Sequence, residues 1–299
     1  MLDAIIAVTL SAPDLGATAR AYEAQLGYRL VERATVSRSL ATGWGAKAVK
    51  GRDYALLQPA SGEPVYLRIV DADEPAPGYA PLRTFGWNAN EILVEDPVAL
   101  APLLKEPFRI IGEPRPLDFN PNIIAMQVTG PAGEVTYFTR IPPTGSIFNL
   151  GSAKSFVDRT FIVVTGGPDV DASRAFYRDV LKMPTTDPAP TKIHVLQDAY
   201  GLARDAETRI GIVRFPSGFL IELDQYPPAA VKRPVRRGHL PPGIAMVTFA
   251  VKSFDGLKLP WKVKPHIRPE KPYEGRRAGV IVGPAGEWIE LVEAMRGGQ

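Results

Sequence analysis

The sequence predicts an α+β chain built from four βαβββ units, and three observations carry that reading. The 299 residues are about twice the commonest domain length of roughly 100–150 residues. The chain also repeats itself. Gly130-Pro131-Ala132-Gly133-Glu134 returns as Gly283-Pro284-Ala285-Gly286-Glu287, and Pro13-Asp14-Leu15 with Ala21-Tyr22 and Leu26 returns as Pro168-Asp169-Val170 with Phe176-Tyr177 and Leu181. Ser61-Gly62 likewise returns as Ser217-Gly218, so the matches keep one order and a spacing of about 150 residues. Finally, one turn-plus-strand pattern closes four segments, so each half divides again.

The first unit opens at 4–27 with an alternating apolar strand, a Pro-Asp turn and a helix whose Leu15, Ala19, Tyr22 and Leu26 fall at helical spacing. It closes on Ser61-Gly62-Glu63-Pro64-Val65-Tyr66-Leu67. The second opens at 88–104, with Glu91-Ile92-Leu93-Val94, Asp96-Pro97 and an apolar helix, and closes on Ala132-Gly133-Glu134-Val135-Thr136-Tyr137-Phe138. The third opens at 159–181 and closes on Ser217-Gly218-Phe219-Leu220-Ile221-Glu222-Leu223. The fourth repeats the strand-and-helix start at 244–257 and closes on Ala285-Gly286-Glu287-Trp288-Ile289-Glu290-Leu291. Between helix and last strand two further strands are expected, at 191–197 and 209–215 in the third unit. Each hairpin glycine supplies the tight turn before the last strand. Turn residues from Pro142-Pro143-Thr144-Gly145 to Lys154 mark the join, giving expected modules at 1–145 and 155–299.

On these residues the chain resembles the vicinal oxygen chelate superfamily of glyoxalases, bleomycin-resistance proteins and extradiol dioxygenases, over nearly its full length. The segments 163–181 and 283–292 carry the resemblance most sharply: a first strand, Asp turn and Phe-Tyr helix, then a Pro-x-Gly hairpin and strand. The resemblance implies that units pair into curled mixed sheets, each enclosing a ligand cup, and that two pairs make two cups. It further implies a divalent metal held by a first-strand residue, usually His, and a last-strand residue, usually Glu. Four residues after the hairpin glycines stand Tyr66, Tyr137, Glu222 and Glu290; counting back from the turns gives about Ala7, Ala89, Ile162 and Met246. None of these is a histidine, so no cofactor is expected, with Fe, Mn, Ni or Zn on Glu222 and Glu290 as the alternative.

Composition narrows the chemistry. The absence of cysteine excludes thiol nucleophiles, Cys-type zinc sites and iron–sulfur clusters, and only His194, His239 and His266 supply imidazole. A net charge of +3 is too mild for a nucleic-acid partner. No apolar run reaches the roughly 18–20 residues that span a bilayer. Met1-Leu2-Asp3-Ala4-Ile5-Ile6 reads as a strand without an export signal, and a cytoplasmic location is expected. Val164-Thr165-Gly166-Gly167-Pro168 lacks the spacing of a phosphate loop, and no G-x-S-x-G elbow is present.

What remains is an acid pair. In the expected C-terminal cup Glu222 and Glu290 face each other, and two acids in an apolar pocket repel until one keeps its proton. That suits acid–base chemistry by a lyase, isomerase or epimerase, with His239 folding over the mouth. Trp288, His194, Arg236 and Arg237 are expected to meet substrate, an aromatic or anionic small molecule, while Tyr66 and Tyr137 line the N-terminal cup. The alternatives are a metal-dependent dioxygenase or glyoxalase, and a non-catalytic binder of aromatic or hydrophobic ligands. A homodimer is left open.

Overall fold

The computed structural model describes residues 1–75, 77–118, 120–143 and 150–294, and within them the four units appear in order. Unit 1 comprises β1 (Leu2–Ala12), α1 (Leu15–Leu26), β2 (Arg29–Thr35), α2 (Arg38–Trp44), β3 (Asp53–Gln58) and β4 (Tyr66–Asp71). Unit 2 comprises β5 (Gly86–Val94), α3 (Pro97–Leu100), β6 (Arg109–Leu117), β7 (Asn120–Thr129) and β8 (Val135–Arg140). Unit 3 comprises β9 (Val157–Gly167), α4 (Val170–Ala175), β10 (Ala189–Thr191), α5 (His194–Tyr200), β11 (Thr208–Arg214) and β12 (Leu220–Gln225). Unit 4 comprises β13 (Gly243–Val251), β14 (Trp261–Ile267), β15 (Arg277–Val282) and β16 (Trp288–Glu293).

Local chemistry starts the helices where the sequence places them. Asp14, Asp96 and Asp169 cap α1, α3 and α4 by accepting from Ala17, Val98 and Ala172 N–H groups at 2.8, 2.8 and 2.9 Å. The hairpin glycines Gly62, Gly133, Gly218 and Gly286 all take positive φ, between 72° and 85°. Two expectations fail locally. No helix follows β13, because Gly256 adopts φ 78° and Glu293 takes the Phe254 N–H at 3.1 Å. The strand expected at 191–197 ends at Thr191; the chain turns helical at His194, burying Val195 and Leu196, and stops at Gly201 in the left-handed conformation.

Pairing of the units departs from the expected N- and C-terminal modules. One eight-stranded sheet has the order β14-β15-β16-β13-β1-β4-β3-β2 and the other β10-β11-β12-β9-β5-β8-β7-β6. Unit 1 therefore joins unit 4, and unit 2 joins unit 3, through antiparallel seams β1–β13 and β5–β9. The join near 145–155 connects two halves of one sheet instead of separating two modules; its residues 144–149 lie outside the described residues. A seam forms between first strands whichever units supply them, so the repeat alone does not specify the partner.

The faces opposite the cups share one core. It runs from Val8, Leu67, Val247 and Leu291 of one sheet to Trp87, Phe138, Val163 and Ile221 of the other, with Tyr22 of α1 and Tyr177 beyond α4 between them. The repeated Gly-Pro-Ala-Gly-Glu motif ties this core together. Tyr22 donates to Glu134 Oε1 at 2.7 Å, and Tyr177 donates to Glu287 Oε1 at 3.2 Å, so each helix of one sheet is bonded to a hairpin of the other. A Cβ at Gly130 or Gly283 would collide with these folded-back carboxyls, which explains the first glycine of the motif. Separately produced, residues 1–145 should carry two unpaired seams and show no cooperative monomeric unfolding by calorimetry and ultracentrifugation. A monomeric, cooperatively melting 1–145 fragment would contradict this topology.

Candidate functional site

Each unit brings one first-strand and one last-strand residue together on the cup floor. Thr9 pairs with Arg68, Glu91 with Tyr137, Val164 with Glu222 and Thr248 with Glu290. The first-strand members stand five residues before Asp14, Asp96, Asp169 and Ser253, so the expected Ala7, Ala89, Ile162 and Met246 fall two residues early. In unit 1 the hairpin after Gly62 runs two residues longer, which brings Arg68 instead of Tyr66 into the floor position. Tyr66 sits opposite Ala7, half-buried. Glu222 and Glu290 are consequently in different cups, and the expected acid pair does not exist.

The cup of units 1 and 4 is closed from within. Arg68 donates to Glu290 Oε2 at 3.0 Å and to Thr9 Oγ1 at 3.0 and 2.9 Å; Thr248 donates to Glu290 Oε2 at 2.6 Å. Arg268 grips the other carboxylate oxygen, and Tyr273 donates to Glu290 Oε1 at 2.9 Å. Helix α2 fills the space above. Its Trp44 indole donates to Tyr273 at 2.8 Å and lies 4.7 Å from the Arg68 guanidinium, while Arg268 reaches the Gly43 carbonyl at 2.7 Å. Burial alone would raise the Glu290 carboxyl, but Arg68 and Arg268 outweigh it and hold the group below the ordinary glutamate range.

The cup of units 2 and 3 is open. A cavity of about 530 Å³ has Phe161, Ile162, Ile210, Ile212 and Leu220 among its walls, with Glu91, Tyr137 and Glu222 reaching it from the floor. Burial, reinforced by Glu222, lifts the Glu91 carboxyl to about 8, against a 2.6 Å hydrogen bond from Thr139. Burial likewise lifts Glu222 to about 7, although a hydrogen bond with Asp224 pulls the other way, and Asp224 itself is driven well up by burial and by Glu222. Among the described residues no arginine or lysine pairs with these three carboxyls. One face of a sheet thus holds uncompensated acid groups in apolar surroundings, the setting that keeps carboxyls protonated near neutrality.

Comparison with solved structures places this architecture. The chain superposes on glyoxalase I from Zea mays with a TM-score of 0.61 and 14% identity, over 97% of this chain and 92% of that one. A provisionally named dioxygenase from Bacillus subtilis gives 0.61 and 12% identity, over 99% of this chain and 86% of that one. The chain has the vicinal oxygen chelate fold. No family model matches the sequence, and no curated protein matches it.

The metal associated with vicinal oxygen chelate proteins does not fit the residues present. In one cup the floor carboxylate, Glu290, is spent on two guanidiniums. In the other the floor offers Glu91, Tyr137, Val164 and Glu222, with no imidazole. Among the described residues no group of three or more His, Asp or Glu side chains has a metal-holding arrangement.

Other expected residues scatter over this vicinal oxygen chelate frame. His194 lines the open cavity from the start of α5, its imidazole lowered by burial and by Arg115, with Nδ1 buried and unpartnered. Trp288 is buried in the closed sheet under the Lys262 ammonium at 4.2 Å. His239 and Arg236 border a crevice of about 30 Å³ beside Asp73, while Arg237 is exposed, so none of the three meets a cup. Glu91 is legible in the sequence as a lone acid opening the apolar run Glu91-Ile92-Leu93-Val94, five residues before the turn residue Asp96, where the expected Ala89 stands seven before it. Among the described residues no helix is long and apolar enough to cross a membrane.

The two glutamates should respond oppositely to neutralisation. Glu222 has a raised folded pKa, so it destabilises the fold increasingly as pH rises from its unfolded value of about 4.3 towards 7. Glu222→Gln should raise the thermal midpoint at pH 8 and leave it unchanged near pH 4. Glu290 has a lowered folded pKa, so its stabilisation is present above about 4.3 and fades as pH falls through the folded value. Glu290→Gln should cost about 3–5 kcal/mol at pH 8, because two buried guanidiniums lose their counter-charge, and less in acid. Calorimetry at both pH values checks the pair, and equal shifts in the two variants would contradict the assignment.

Proposed function

We propose that this chain is an acid–base enzyme of the vicinal oxygen chelate superfamily, a lyase or isomerase acting on a small, largely apolar carbonyl compound in the cup of units 2 and 3. The observation that carries this reading is the pair Glu91 and Glu222 on the floor of a largely apolar cavity of about 530 Å³, without a cationic partner among the described residues. The likeness in fold to glyoxalase I supports the class, and fold likeness alone does not name the reaction.

The chemistry follows from the two carboxyls. With a folded pKa of about 7, Glu222 is part-ionised at neutral pH and can accept a proton. With a folded pKa of about 8, Glu91 is mostly protonated and can donate a hydrogen bond to a carbonyl oxygen. Removal by Glu222 of the proton on the carbon beside that carbonyl moves the C–H electron pair into a new C=C bond, and the carbonyl electrons to oxygen, where Glu91 supplies a proton. Where the deprotonated carbon carries a hydroxyl, that hydroxyl returns its proton to Glu91 as its own C=O forms, and the C=C pair takes the proton back from Glu222 at the former carbonyl carbon, which completes an isomerisation. Where the next carbon carries a leaving group, the enol O–H returns its proton to Glu91, C=O re-forms, and the C=C pair shifts to expel that group with its bonding electrons, which completes an elimination. The apolar walls keep water out and preserve both pKa shifts.

Enolisation is visible before the substrate is known. In D₂O at pH 7.5, a panel of aryl and alkyl ketones and hydroxyketones followed by proton NMR should reveal at least one compound whose α-proton is exchanged by the wild type. Glu222→Gln and Glu91→Gln should each slow that exchange about 10²-fold or more while remaining folded by circular dichroism. Wild-type exchange rates retained in both variants would end the proposal.

A further inference from the structure

We infer that the carbonyl compound taken by the unit 2–3 cup also carries a hydrophobic amine, entering as its ammonium form and bound by its charge to the floor carboxyls. The inference rests on the reading of this cup as the functional site and adds the class of molecule it takes. Three features of the cavity point to a cation. Glu91 and Glu222 line it, Asp224 stands behind Glu222 on the same strand, and no arginine or lysine is paired with any of them among the described residues. The Tyr137 ring lies on the same floor, and an aromatic face beside carboxylates favours a desolvated ammonium.

The third feature is independent of the acids. Gln127 on β7 lines the same cavity, is 8% exposed, and its Oε1 is buried without a hydrogen-bond partner. Gly112 on the neighbouring strand is bare where a Cβ would collide with that oxygen, so the backbone makes room for this side chain. A buried acceptor left unpaired costs about 1–3 kcal/mol, which a ligand N–H would recover. Glu222, Asp224 and the Gln127 oxygen therefore each call for a donor or a positive charge.

The rim does not reverse this preference. Arg115 and Lys192 line the cavity together with Asp118 and Glu207, two positive and two negative groups, and His194 is held towards its neutral form by burial and by Arg115. Arg236 and Arg237, expected to meet an anionic substrate, lie elsewhere: Arg236 faces Asp73 at 3.8 Å and Arg237 is exposed, while the nearby Arg233 is spent on the Trp87 and Ile244 carbonyls at 2.6 and 2.9 Å. Above neutral pH, where Glu222 is ionised, a carboxylate entering the cup would meet like charge in an apolar setting, the least favourable arrangement available.

Three isosteres separate the possibilities: 4-phenylbutylamine, 4-phenylbutanol and 4-phenylbutanoate, titrated into the wild-type protein at pH 8 by calorimetry. The amine should bind at least tenfold more tightly than the alcohol, and the carboxylate should bind more weakly than either. Glu222→Gln should reduce the amine's advantage over the alcohol about tenfold while leaving alcohol binding unchanged, and Gln127→Leu should weaken the amine severalfold. Carboxylate binding equal to or tighter than amine binding, or an amine no better than the alcohol, would overturn the inference. Failure here is distinct from failure of the acid–base reading: amine preference without deuterium exchange removes only the enolisation chemistry, and exchange of neutral ketones without amine preference removes only this inference.

Discussion

The grip of Arg68 and Arg268 on Glu290 is the interaction on which the arrangement of this chain depends. Arg68 belongs to the last strand of unit 1 and Glu290 to the last strand of unit 4, so one fully buried ion pair fastens the first quarter of the sequence to the fourth. Such a pair adds little over well-packed apolar residues, yet losing one partner strands a buried charge at a cost of several kcal/mol. Its value is selectivity. Any other pairing of the units would bury Arg68 without Glu290, or Glu290 without Arg68, and the seam between β1 and β13 is thereby distinguished from its rivals.

The same ion pair explains why two cups of one fold behave so differently. Where a guanidinium meets the floor carboxylate, the charge is satisfied, helix α2 packs down with Trp44, and the space is filled by protein. Where the floor carries Glu91 and Glu222, no cation among the described residues pairs with them, and α5, which holds the corresponding place between the second and third strands of its unit, leaves a cavity. A closed cup with an ionised glutamate and an open one with protonated acids are two electrostatic solutions on one scaffold.

Much of the scaffold was legible in the sequence because it is written in local chemistry. The Asp caps, the hairpin glycines and the alternation that puts Glu222 with Leu220 on a cup face each need only a few neighbouring residues. The pairing of units was not legible, since four similar units can form similar seams and the deciding contact joins residues 222 positions apart. The floor positions were missed for smaller reasons. A hairpin two residues longer replaces Tyr66 by Arg68, and the position expected from the turn, Ala89, lies two residues beyond Glu91. Lys192-Ile193-His194-Val195-Leu196 reads equally well as strand or helix over so short a run, and Gly201 decided for helix.

The order of the strands also imposes a timetable. Units 2 and 3 are nested inside units 1 and 4, as an inner pair of brackets sits inside an outer pair. During synthesis the inner sheet can close once Gln225 has emerged, whereas β1 must wait for β13 and Arg68 must wait for Glu290. The loop closed by the inner seam is short and the one closed by the outer seam spans most of the chain, so entropy favours the same sequence of events. The open cup is therefore assembled first, and the exposed edge of β1, left waiting for its partner, is the part of the nascent chain most in need of protection.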